Sequence, residues 1–164
     1  MRHVFLALLA FFSSTSMFNA SAQASDFVGS ETCKGCHQSE HQAWQGSHHE
    51  MAMAHASKRS VLGNFNQAKI NYHGKESRLF MKGDSYWMSL HTIEGQRQEY
   101  QIKYTFGLEP LQQYMVEFDD GRVQLIPFAW DSRQASEGGQ RWFVLYPEHA
   151  EPHKEFYWTN TGQN

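Results

Sequence analysis

Glu99-Tyr100-Gln101-Ile102-Lys103-Tyr104-Thr105-Phe106 alternates polar and apolar side chains without a break. Successive side chains of an extended chain point to opposite faces. The pattern therefore places Tyr100, Ile102, Tyr104 and Phe106 on one face, and Glu99, Gln101, Lys103 and Thr105 on the other. One packed face and one wet face mark an antiparallel sheet. Similar runs flank this stretch. Residues 69–73 and 77–82 are separated by Gly74, and Gly83-Asp84 turns into 86–90. Tyr114, Val116 and Phe118 alternate, and Asp120-Gly121 is a hairpin signal leading into 123–129. Pro127 suggests an edge or a strand's end. A loop at 134–140, centred on Glu137-Gly138-Gly139, precedes a last short strand at 141–146. About six antiparallel strands are expected over residues 61–164, with bulky aromatic side chains filling their packed face.

Upstream the pattern is of another kind. Thr32-Cys33-Lys34-Gly35-Cys36-His37 contains the only two cysteines of the 164-residue chain, with a histidine directly after the second. C-x-x-C-H is the pattern of covalent c-type haem attachment. Two thiols three residues apart, on one turn of helix, can each add to one vinyl group of a porphyrin. The next residue, His37, then offers its imidazole to the iron as proximal ligand. A structural zinc site would need a second ligand pair. A thioredoxin-like redox pair would sit in a βαβ setting without the immediate histidine. A disulfide between Cys33 and Cys36 would close a very short loop and stabilise little.

Ser30-Glu31-Thr32 can cap the turn that carries the cysteines. Residues 40–59 hold many helix formers and few breakers, so a helix is expected there, with an interruption at Gly46-Ser47. The same stretch is rich in groups able to bind iron: His41, His48, His49, Met51, Met53 and His55. His41, four residues after His37, falls on the same helical face and is badly placed for the opposite side of a haem. His48 and His49 follow the Gly46-Ser47 turn and are far enough along to reach the distal side of this haem, or another haem. Met51 and Met53 could ligate, although a methionine in a helix more often fills a core. Histidines 149 and 153 in the tail are reserves.

Residues 1–24 read as a secretory signal peptide. Arg2 begins it, residues 4–12 form an apolar core too short to span a bilayer, and Ala22-Gln23-Ala24 offers a small-x-small cleavage site, with Ala20-Ser21-Ala22 as the alternative. Covalent haem attachment in bacteria takes place outside the cytoplasm, so a periplasmic location fits the motif. The remaining chain is about 140 residues, enough for one domain. It divides into a haem-attachment segment at 25–60 and a β-rich region at 61–164. The formal net charge of −3 gives no reason to expect nucleic acid or an anionic membrane as partner. No membrane span remains once the signal is removed.

Several blocks together resemble a family. They are Val28-Gly29-Ser30-Glu31-Thr32 with the C-x-x-C-H motif, Trp44-Gln45-Gly46-Ser47-His48-His49 with Ala52-Met53, Tyr104-Thr105-Phe106-Gly107, Pro110-Leu111-Gln112-Gln113-Tyr114, Ala129-Trp130-Asp131-Ser132-Arg133 and Gly139-Gln140-Arg141-Trp142-Phe143. The resemblance is to periplasmic multihaem cytochromes c whose C-terminal part carries tetratricopeptide-type helical repeats. It implies that His49, matching the histidine of a Trp-x-x-Ser-x-His pattern, is the distal iron ligand, with His48 in reserve. Such proteins carry further C-x-x-C-H motifs beyond the position of Asn164, so a truncated or split product, or a single-haem remnant, is expected here.

The expected fold class is α+β: a helical haem-attachment segment followed by an antiparallel sheet. The expected function is electron transfer through one haem c, its iron exchanging electrons with redox partner proteins, other multihaem cytochromes among them. Cys33 and Cys36 hold the porphyrin, and His37 and His49 ligate the iron. One alternative is a share in a multihaem reductase or oxidase of small nitrogen or sulfur compounds, with an open iron position. Another is a non-catalytic module that docks onto further haem or repeat regions.

Overall fold

The computed structural model describes residues 28–145 and 157–159. Two short helices come first, α1 (Glu31–Lys34) and α2 (Gln38–Trp44). Eight strands follow: β1 (Met53–His55), β2 (Ala68–Tyr72), β3 (Lys75–Lys82), β4 (Ser85–His91), β5 (Arg97–Phe106), β6 (Leu111–Glu117), β7 (Val123–Asp131) and β8 (Arg141–Val144). Every pairing is antiparallel. The chain is thus mainly β, with eight strands among the described residues where about six were expected. The helical part is two short pieces rather than a segment running to residue 59. The signal-peptide reading, Tyr146 and the two tail histidines lie outside the described residues.

Strands β2 to β8 form a meander in sequence order. The sheet curls until β2 approaches β8, although no strand pairing joins them. Across that seam the Tyr72 ring meets Phe128 edge-on, with centroids 5.4 Å apart. The concave side holds the core. Leu79, Met88, Leu90, Ile102, Tyr114, Val116, Ile126 and Phe128 are all essentially inaccessible to solvent. The hairpins fall where the glycines demanded, at His73-Gly74, Gly83-Asp84 and Asp120-Gly121. From the tail, Tyr157 and Trp158 plug the core: the Tyr157 hydroxyl donates to the His91 carbonyl at 2.6 Å, and Trp158 meets Tyr100 edge-on. Burial pushes the Tyr100 phenol up to about 12.

The stretch around β5 behaves differently from its bare alternation. Tyr100 and Ile102 are buried, as expected. The register against β6 then shifts between Ile102 and Tyr104, and the faces exchange: Thr105 is buried and Phe106 is 41% exposed. A bulge adds one residue to one strand, which turns everything after it over. At the same place β5 changes partner on its other edge. Residues Arg97 to Gln101 pair with β4, whereas Tyr104 to Phe106 pair with β1. Pro127 also differs from expectation. It lies inside β7, between β6 and β8, where the β6 register shifts. A bulge accepts a proline because the ladder is already interrupted there.

Candidate functional site

Cys33 sits in α1 and Cys36 just beyond it, on one continuous turn. The Cys36 and His37 amides both donate to the Cys33 carbonyl, at 3.3 and 2.9 Å. Glu31 opens α1 and Lys34 closes it, so each charge favours its end of the helix. His37 occupies the N-cap position of α2 with non-helical dihedrals, φ −124° and ψ 51°. Both thiols are free and exposed, and the His37 side chain is exposed as well. Two accessible thiols with an accessible imidazole beside them suit thioether formation to a porphyrin.

His41 is the only buried residue of the two helices. Its amide donates to the His37 carbonyl at 2.9 Å, and its ring lies 6.1 Å from that of Trp44. Glu31 Oε1 comes within 3.4 Å of His41 Nε2 without completing a hydrogen bond. The His41 side chain is buried, with Glu31 of α1 and Trp44 of α2 beside it.

The helix ends at Trp44, and Gly46 reverses the chain with φ 73°. That positive φ is open to glycine at little cost. His48 and His49 then ride a tight turn: Met51 donates to the Ser47 carbonyl at 3.2 Å, Glu50 donates its amide to Ser47 Oγ, and the Glu50 carboxylate returns to the Gly46 amide. Both imidazoles are exposed. Among the described residues no group of three or more His, Cys, Asp or Glu side chains that could hold a metal ion includes either of them. Beyond the turn, β1 carries Met53 and His55 outward. Met53 is 58% exposed and sits opposite Phe106, while His55 sits opposite Tyr104 with ring centroids 5.0 Å apart.

Gln112, Tyr114 and Trp142, from the later sequence blocks, hold residues 60–64. Gln112 Nε2 donates to the Ser60 carbonyl at 2.8 Å, and its Oε1 accepts from the Leu62 amide and from the Tyr114 hydroxyl, at 2.8 and 2.6 Å. The Tyr114 oxygen in turn accepts from the Gly63 amide. A side chain at residue 63 would collide with Trp142 and with that oxygen at 2.6 Å, so the approach requires glycine. Ser132 donates to the Leu108 carbonyl at 2.8 Å, and Gln140 donates to the carbonyls of Ser132 and Arg133. Asp131 is buried and grips Arg133 in a two-pronged pair at 3.0 and 2.7 Å, which holds its carboxyl below the usual carboxylate range. Sequence reasoning found these blocks without their job. Gln112 and Tyr114, both buried, satisfy each other and the backbone of residues 60–63, whereas Arg133 and Gln140 are exposed.

No protein-family model, curated protein or solved structure matches this chain. No helix among the described residues is long and apolar enough to cross a membrane.

Proposed function

We propose that this chain is a periplasmic c-type cytochrome, or the N-terminal part of a multihaem one, that binds a single haem covalently and passes electrons to redox partner proteins. The observation that supports it is the turn at residues 33–37, with two free, exposed thiols and an exposed imidazole next to them. Cys33 and Cys36 would hold the porphyrin and His37 would face the iron. His49, with His48 in reserve, is the candidate for the other side, on a turn that the Gly46 reversal sets apart from α2. Haem iron so held supplies one-electron chemistry, its potential set by the axial ligands and the surroundings. The protein's own part is to fix the porphyrin, present ligands and limit water.

Protein made in a periplasm with haem-attachment machinery should keep its haem on a denaturing gel and give the pyridine haemochrome of two saturated vinyl groups. Haem lost on denaturation, or zinc in its place, would sink the reading. His49→Ala should open the iron to cyanide or recruit another ligand, whereas an unchanged spectrum and potential would exclude His49 and send the same test to His48. A second reading, a docking module, draws on the exposed Met53 and Phe106 side chains. It requires haem-free chain to bind a partner through that face, and charged substitutions at Met53 to abolish the binding.

A further inference from the structure

Beside β1 lies an open pocket of about 270 Å³, lined by Met51, Ala54, His55, Ser57, Arg59, Ser60 and Leu108. It is assembled from the chain that follows the two candidate distal histidines, and its floor is held in place. Ser60 and Leu108 have their carbonyls gripped by Gln112 and Ser132. The lining has two characters. Met51, Ala54 and Leu108 are apolar, whereas Arg59, His55 and Ser57 offer charge or hydrogen-bond donors. Arg59 is exposed and forms no ion pair among the described residues, while Arg78, Arg122 and Arg133 each hold a carboxylate.

The volume falls short of the roughly 300–1,000 Å³ that encloses a whole drug-sized ligand. It suits one edge of a larger, flat molecule. An apolar plate with carboxylates along one side would satisfy both characters of the lining. A guanidinium is the side chain best shaped for carboxylate oxygens. Methionine packs well against an aromatic edge.

We propose that this pocket takes the propionate edge of the haem attached at Cys33 and Cys36, with Arg59 as its counter-ion, His55 as second donor and Met51 against the porphyrin. The inference rests on the haem reading above. It assigns Arg59 a second effect, because a fixed positive charge near the iron favours the reduced form, which carries one positive charge fewer.

The test uses the full holoprotein, with haem content read from the pyridine haemochrome and potential from redox titration. Arg59→Gln should retain covalent haem, lower the potential and alter the circular dichroism of the main haem band, and Arg59→Lys should lower the potential less. Lys58→Gln removes the same charge one residue away, from a lysine engaged with Asp84 at 2.7 Å, and should leave both readings unchanged. A potential and haem dichroism in Arg59→Gln equal to those of the parent would overturn the pocket assignment and leave covalent haem standing. So would an equal drop in Lys58→Gln, which would mark a general surface-charge effect. Absence of covalent haem from the parent protein would overturn the haem reading itself, and the pocket assignment with it.

Discussion

The curled sheet and the attachment segment are built on opposite terms. Between β2 and β8 one aromatic and aliphatic cluster is sealed from water, and the Tyr157 and Trp158 side chains of the tail complete it. In α1 and α2, His41 alone is buried, while Trp44, Met51 and Met53 remain substantially exposed. Helices of four and seven residues are far below the length at which an isolated helix holds together in water. The sheet carries its own reason to fold, and the segment needs something else to pack against. A covalently held porphyrin is what the cysteines would supply.

The largest break in this contrast is expected from Cys36→Ser. With both thioethers in place, amide hydrogen exchange of residues 31–44 should be slowed. In the variant that protection should vanish while the strands exchange as before. Equal protection with and without haem would show that the segment folds by itself. Phe128→Ala should act on the other side of the contrast. It empties a fully buried position and should cost about 3–5 kcal/mol in denaturant unfolding, without altering attached haem in protein that still folds. A loss below ~1 kcal/mol would mean that the curled core is not closed.

Tyr114→Phe probes the tie between the two regions. It deprives the Gly63 amide of its partner and Gln112 Oε1 of one of its two donors. The expected cost is about 1–3 kcal/mol, with faster exchange at residues 60–64, and exchange there equal to that of the parent would refute the tie. The smallest effect is acid-dependent. Arg133 holds the Asp131 carboxyl below its ordinary value, so the unfolded chain takes up this proton at a higher pH than the folded one. Its contribution is present above about pH 4 and is lost as pH falls through the folded value. Asp131→Asn should therefore melt lower than the parent at pH 6, and the gap should narrow toward pH 2. A constant gap would remove the linkage.

Much of the sheet was legible in sequence because period-2 alternation and Gly-containing turns are local signals. β3 to β7 fall on the runs that show them, with ends moved by at most three residues. β1 was hidden. Met51-Ala52-Met53-Ala54-His55-Ala56 has helical composition, and only pairing with the far end of β5 makes its middle extended. The exchange of faces after Ile102 was hidden for a related reason: a bulge is set by the partner strand, not by the strand's own alternation. The C-x-x-C-H turn was visible at once, since thiol spacing carries its chemistry without any fold around it. The polar ties of Gln112, Tyr114 and Ser132 reach residues about 24 to 52 positions away, which no periodicity reveals.

β4 covers one side of β5 only as far as Gln101, and β1 covers the stretch from Tyr104 to Phe106, with the Ala56 amide donating to the Lys103 carbonyl between them. Three residues of the attachment segment thus act as a cap on an otherwise open edge. Bare strand edges recruit other strands, so covering this one should keep copies of the sheet apart. A chain trimmed to begin at residue 57 would keep its core and lose that cap. Its failing would be self-association through β5, growing with concentration, rather than unfolding.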